Sequence, residues 1–258
     1  MRRISTNKLL LLSLATIFLF VAVPVLPTTA ASTQNPGGLI VPLYMYPNSS
    51  WSALIQEKLA NPSMPIIAIV NPGSGPGLSR NANYASWIDR LTSSGIVVVG
   101  YISTEYGAVS ISTVKSQIST YKSWYDVSGI FLDEMSNVNG FQSYYSAATS
   151  YAHSLGLSTV VGNPGTDVPS SFVGTVNVLV VFENAYLPTV SRLQMITMGQ
   201  TRDDFAVICY DISDPSQAMV DTITHYARYV YLTSGSMPAP YSTMPTYFTT
   251  LVSRLTVT

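Results

Sequence analysis

The sequence is short of charge, of histidine and of cysteine. Only 10% of its 258 residues are Asp, Glu, Lys or Arg, 12 basic against 13 acidic, where soluble domains usually carry about 25%. Without a basic excess there is no electrostatic footprint for nucleic acid, whose binding rests on clustered Lys and Arg. A single cysteine, Cys209, excludes an intramolecular disulfide. It lies inside the apolar run Phe205–Tyr210 and reads as a packed strand thiol rather than a nucleophile. The two histidines, His153 and His225, fall in helix-like stretches with no second ligand in register. There is also no Gly-x-Ser-x-Gly elbow, so neither a metal centre nor a serine triad is expected, and no organic cofactor is implied. Hydrophobic residues make up 47% of the chain, which excludes disorder. The polar surface must therefore be built from Ser, Thr, Asn, Gln and Tyr, a composition suited to neutral ligands such as glycans.

The N-terminus carries Arg2, Arg3 and Lys8, then an apolar run from Leu9 to Leu26, then Thr28-Thr29-Ala30-Ala31-Ser32. Positive start, apolar centre and small-residue end form a secretory signal over residues 1–31, with cleavage after Ala30 or Ala31. An uncleaved anchor is the competing reading, because the run approaches the roughly 20 residues needed to span a bilayer. Pro24 and Pro27 near its end favour removal. Cleavage leaves nine basic against thirteen acidic side chains, a net charge near −4, and a secreted or cell-surface protein with no remaining membrane attachment.

From there short apolar runs recur: Leu39 to Met45, Pro65 to Val70, Ile96 to Ile102 and Gly129 to Leu132, then Ser158 to Val161, Val178 to Phe182, Phe205 to Tyr210 and Tyr229 to Thr233. They are rich in Val, Ile and Leu and lack polar alternation, as strands do when both faces are covered in a parallel sheet. Their starts lie mostly 21 to 33 residues apart, about one strand–helix unit each. The intervening segments suit helices. Ser79 to Thr92 places Tyr84, Trp87, Ile88 and Leu91 at three-and-four spacing before Gly95. Gly140 to Leu155 repeats the pattern before Gly156, and Asp214-Pro215 opens a third helix running to about Arg228. Eight strands and close to eight helices predict an α/β fold, a (β/α)8 barrel forming a single domain over residues 32–258. A doubly wound open sheet is the alternative.

In such barrels chemistry sits at the C-terminal ends of the strands. The polar residues there are Asn71, Glu105, Asp133-Glu134, Asn163, Glu183-Asn184 and Tyr210-Asp211. Beyond the signal the chain has four glutamates. Three of them, Glu105, Glu134 and Glu183, fall at expected strand ends, while Glu57 lies on a helix. Gly129–Glu134 and Val178–Glu183 each run apolar until a carboxylate appears. Burying such a group costs several kcal/mol or so unless it is paired or protonated, and that favours the raised pKa of a general acid. Two carboxylates across a cleft are what glycosidic cleavage requires. The competing reading has these acids capping helices or pairing with Arg192 or Arg202.

Several segments in this order resemble the spherulin-4-like family, spherulation-specific family 4. They are Gly38–Pro47, Ile69–Gly77, Gly100–Thr104, Gly129–Glu134, Gly162–Gly165 and Phe182–Asn184, and the resemblance covers roughly residues 38 to 235. It implies a (β/α)8 barrel like that of the enzymatic members, placed in glycoside hydrolase family 135, which are endo-acting α-1,4-N-acetylgalactosaminidases that cut galactosaminogalactan. Their Asp-Glu pair after strand 4 and Glu after strand 6 match Asp133, Glu134 and Glu183. Strand neighbours point to opposite faces, so Asp133 and Glu134 share a cleft only if the strand breaks between them. The expected roles are Glu183 as general acid and Asp133 as nucleophile, or as support for an attacking substrate acetamido group. Glu134 would orient the sugar or tune its neighbours.

The expected substrate-binding residues are Tyr44, Asn71, Tyr101, Glu105, Asn163, Asn184 and Tyr210, with Tyr46 and Tyr186 as further aromatic candidates near strand ends. Asn71-Pro72-Gly73-Ser74-Gly75-Pro76-Gly77 lacks the Gly-Lys-Ser/Thr ending of a phosphate loop. It reads instead as a sharp turn at the cleft rim, with Asn71 bonding sugar hydroxyls. The expected function is hydrolysis of an extracellular, amino-sugar-rich polysaccharide or oligosaccharide. The alternatives are a non-catalytic glycan-binding or structural barrel, or cleavage of another glycan such as deacetylated polygalactosamine.

Overall fold

Eight parallel strands close on themselves in chain order. They are β1 (Gly38–Leu43), β2 (Ile66–Val70), β3 (Val97–Ser103), β4 (Gly129–Asp133), β5 (Thr159–Gly162), β6 (Val178–Asn184), β7 (Phe205–Cys209) and β8 (Tyr229–Leu232). Closure is made where Gly38 and Leu39 of β1 pair with Tyr229 and Val230 of β8. The structure is a computed structural model and describes residues 36–256. The expected signal and its cleavage site lie outside the described residues. Every residue of β1, β2 and β7 is buried, as their unbroken apolar sequences require when side chains on one face fill the barrel and those on the other meet helices. Strand packing is close enough at Gly129 that a Cβ there would stand 1.9 Å from the Thr159 carbonyl oxygen, so only glycine fits.

The outer layer consists of α1 (Ser49–Ala60), α2 (Ala82–Ser93), α3 (Ile111–Tyr125), α4 (Gln142–Ser154), α5 (Val190–Thr197), α6 (Gln217–Tyr226) and α7 (Phe248–Thr256). Five start on side-chain caps: Asn48, Asn81, Ser110, Thr189 and Ser216 each accept a hydrogen bond from a backbone N–H of the first turn. Near-regular alternation predicts close to eight helices, but the β5–β6 connection holds only the 3-10 turn Ser170–Phe172 among its helical elements. Pro169 and Gly174 flank that turn and stop it growing. The sixth helix also opens later than its Asp-Pro signal suggests. Ser216 rather than Asp214 is its cap, and Pro215 stays outside. No described helix is long and apolar enough to cross a membrane.

Candidate active site

At the C-terminal mouth of the barrel lies a cavity of about 580 Å3, within the range of ordinary ligand sites. Its walls include Asp133 and Glu134 from the end of β4, Asn163 after β5, Glu183 from β6 and Tyr210 after β7. Residues Met237–Ser242, in the loop after β8, line the rest together with Tyr44, Tyr106, Pro164 and Gly165.

Two local devices bring three acids to one hollow. β4 ends at Asp133, and Glu134 takes a left-handed backbone with φ 50°. That turn breaks the alternation that would otherwise send neighbouring side chains to opposite faces. A non-glycine residue there costs about 1–3 kcal/mol, and the turn is held by hydrogen bonds. The Glu134 carbonyl accepts from Thr104 Oγ1 at 2.8 Å and from the Tyr106 amide at 2.7 Å. Beneath it, the buried Tyr145 hydroxyl of α4 accepts from the Ser136 amide at 2.6 Å. On β6 the pairing register with β7 shifts between Val180 and Phe182, directly before Glu183. Irregularities of this kind re-aim side chains beside sites.

One amide couples the acids. Asn163 Nδ2 donates to Asp133 Oδ1 at 2.8 Å and to Glu183 Oε2 at 2.7 Å. Those two oxygens are therefore no further apart than the sum of the two distances, about 5.5 Å. Glu183 also accepts from the Tyr241 hydroxyl through Oε1 at 2.5 Å. The Tyr101 hydroxyl bonds Asp133, and Ser103 Oγ donates to Glu134 Oε2 at 2.5 Å. Burial drives the Glu183 pKa above the ordinary glutamate value, opposed by the bonds from Tyr241 and Asn163. Burial likewise raises Asp133, opposed chiefly by the bond from Tyr101. Around the acids stands a tyrosine cluster: Tyr44 meets Tyr101 and Tyr241 edge-on with ring centroids 5.6 and 5.8 Å apart. The Tyr44 and Tyr241 hydroxyls have pKa values raised first by burial and then by nearby carboxylates, so both stay protonated donors.

Of the residues expected from sequence, Asp133, Glu134, Glu183, Tyr44, Asn163 and Tyr210 line the cavity, and Tyr101 stands behind Asp133. Three do not reach it. Asn71 is not part of the cavity wall, and its Oδ1 accepts from the Gly75 amide at 2.9 Å, closing its own loop. Glu105 sits at φ 46° in an exposed 3-10 turn, Glu105–Gly107. Asn184 follows Glu183 on the strand and so faces the other side, into a neighbouring hollow. Of the further aromatics, Tyr46 packs edge-on against Tyr84 and Tyr186 lines the hollow that Asn184 faces. The arginine pairings do not arise in the expected form: Arg192 pairs with Asp167, and Arg202 precedes β7 at the opposite end of the barrel, donating to the Thr224 carbonyl. Among the described residues no group of three or more His, Cys, Asp or Glu is placed to hold a metal ion.

The profile of spherulation-specific family 4 matches residues 38–255. The chain belongs to that family. A related protein, Spherulin-4 of Physarum polycephalum, is 37% identical over 158 residues, which is 60% of this chain and 47% of the relative, so this chain spans about half that protein's length. Sph3 of Aspergillus clavatus, whose crystal structure is a complex with GalNAc, superposes with a TM-score of 0.79 at 25% identity. The match covers 86% of this chain and 98% of that one. The catalytic module of a family 98 glycoside hydrolase from Streptococcus pneumoniae shares the fold alone, with a TM-score of 0.50 at 12% identity over 86% and 52% of the two chains.

In this spherulation-specific family 4 barrel the sequence pattern did not point to Tyr241 or Tyr106, and Tyr241 matters most because it bonds Glu183. It belongs to no motif and lies 58 residues beyond Glu183. The available signal was positional: Gly235–Tyr241 follows an expected strand end and is rich in proline. Ser103, the partner of Glu134, was inside the quoted Gly100–Thr104 segment but carried no chemical cue of its own.

Proposed function

We propose that the protein is an exported glycoside hydrolase acting on a polysaccharide rich in N-acetylated amino sugars. The observation that carries this reading is the single Asn163 amide shared by Asp133 and Glu183. It holds two raised-pKa carboxyls with their bonded oxygens no more than about 5.5 Å apart, which is short of the ~6.5–9.5 Å of inverting glycosidases and fits a retaining arrangement better. The superposition on Sph3, solved with GalNAc, supports a hexosamine substrate.

In this reading Glu183 gives its proton to the glycosidic oxygen as the bond to the anomeric carbon breaks. Its partners suit that role. The Tyr241 hydroxyl both donates and accepts, so Oε1 stays paired whether or not it carries the proton, while the Asn163 amide nitrogen only donates and keeps Oε2 an acceptor. The Asp133 carboxylate attacks the anomeric carbon from the opposite face, or steadies a substrate acetamido oxygen that attacks in its place. Glu183, now ionised, takes a proton from the water that completes hydrolysis. Glu134, anchored through Ser103, orients the sugar at the mouth.

The test is reducing-end release from a panel of hexosamine polymers by wild type, Glu183→Gln and Asp133→Asn. Wild type is expected to cleave the N-acetylated α-1,4-galactosamine polymer, and each amide variant to lose at least 10²-fold in kcat. Full activity in either variant removes that residue from the mechanism. Binding of polymer without cleavage by wild type selects a glycan-binding barrel instead.

A further inference from the structure

Over the outer edge of β6, next to the catalytic cavity, lies a second hollow of about 250 Å3. Gly165 lines both, so the two adjoin at that residue. Glu183 turns into the cavity and the next residue, Asn184, lines the outer hollow, one on each side of the strand end. The ridge between them is low because Gly165 has no side chain. Its φ is +64°, and a Cβ would stand 3.7 Å from Glu183 Cβ and 4.0 Å from Glu183 Oε2.

The groups in this hollow have a consistent chemistry. Tyr186 is 59% exposed, its ring held edge-on to the buried Phe182 at 5.6 Å. An aromatic so exposed contributes little to the core, yet its orientation is set. Asn184 Oδ1 accepts from the Ala185 amide at 2.9 Å, and its amide nitrogen has no partner among the described residues. The charge of Arg192 is engaged by Asp167 through contacts of 2.5 and 3.1 Å, which neutralises the one cation lining the hollow. An aromatic face, an unengaged neutral donor and a compensated ion pair match an uncharged pyranose. Its C–H face lies on the ring, and a hydroxyl or acetamido oxygen accepts from Asn184.

Building on the hydrolase reading, we infer that this hollow is a distal sugar subsite with Tyr186 as its platform. A glycan seated at the acids crosses the Gly165 saddle and lays a further residue on Tyr186. On the other side of the acids the exposed Tyr106 lines the catalytic cavity, so aromatic rings flank the cleavage point and favour attack within a chain over attack at its end.

The experiment measures kcat/KM of the purified protein on an α-1,4-N-acetylgalactosamine ladder from dimer to octamer. Tyr186→Ala is expected to lower the octamer-to-trimer ratio of kcat/KM by about tenfold, through KM, with Tyr186→Trp restoring it. An unchanged ratio, or an equal loss on both lengths, overturns the subsite. Failure of the hydrolase reading looks different: wild type cleaves no oligomer of any length. In that case the affinities of the same oligomers are compared, and the same ratio between octamer and trimer decides for or against the subsite.

Discussion

Asn163 and Tyr241 act on the acids through directed hydrogen bonds, and each makes a separable prediction. Replacing Asn163 by alanine removes a donor from Asp133 and Glu183 at once, so kcat on the N-acetylated polymer should fall about 10²–10³-fold with a smaller change in KM, measured by steady-state kinetics. The Tyr241 bond lowers the Glu183 pKa against the larger upward effect of burial. Tyr241→Phe therefore lets that pKa rise further. With Glu183 as the acid, the alkaline limb of the pH profile of kcat/KM moves to higher pH; with Glu183 as the nucleophile, the acidic limb moves instead. The same scale explains which residues were legible. A carboxylate ending an apolar run, as at Asp133 and Glu183, is costly enough to signal function. Asn71 carries the same strand-end signal, but asparagine also closes its own turn, and here it bonds Gly75. Sequence does not tell the two uses apart.

At the scale of elements, the site depends on how strands end. The left-handed Glu134 and the register shift in β6 each redirect one carboxylate, and helix α4 supports the first of these from below through Tyr145. Removing that hydroxyl leaves the Ser136 amide without its acceptor in a buried place. Tyr145→Phe should therefore cost about 1–3 kcal/mol in chemical denaturation. It should also lower kcat several-fold by loosening the turn that carries Glu134, with KM little changed. Eight strands were legible because both-face burial demands continuous Val, Ile and Leu. The helix over-count arose because a regular interval says nothing of what fills it: the β5–β6 connection crosses with one 3-10 turn.

For the whole molecule, closing the barrel gathers acids that water would otherwise solvate, and this costs stability. Asp133 and Glu183 have pKa values raised above those of the unfolded chain. The folded state thus holds their protons to higher pH than the unfolded state does. Their effect on folding is least unfavourable below the unfolded-state carboxylate range and grows as pH rises through the folded-state values. Glu183→Gln and Asp133→Asn, though expected to lose activity, should then be more stable than wild type at pH 7, by about 0.5–2 kcal/mol. The difference should shrink as pH falls toward 4, which thermal melts across pH would read out.

Local chemistry determined the strand count and a parallel sheet, and it marked the strand-end carboxylates as candidates, since burial on two faces and a charge ending an apolar run are properties of short segments. Only the closed barrel decided which polar groups meet. The Asn163 bridge, the Tyr241 contact arriving from the loop after β8, and the exclusion of Asn184 by its side of β6 all depend on register and closure. Those bring together residues far apart in the chain, and no local pattern encodes the direction in which a side chain points once they have formed.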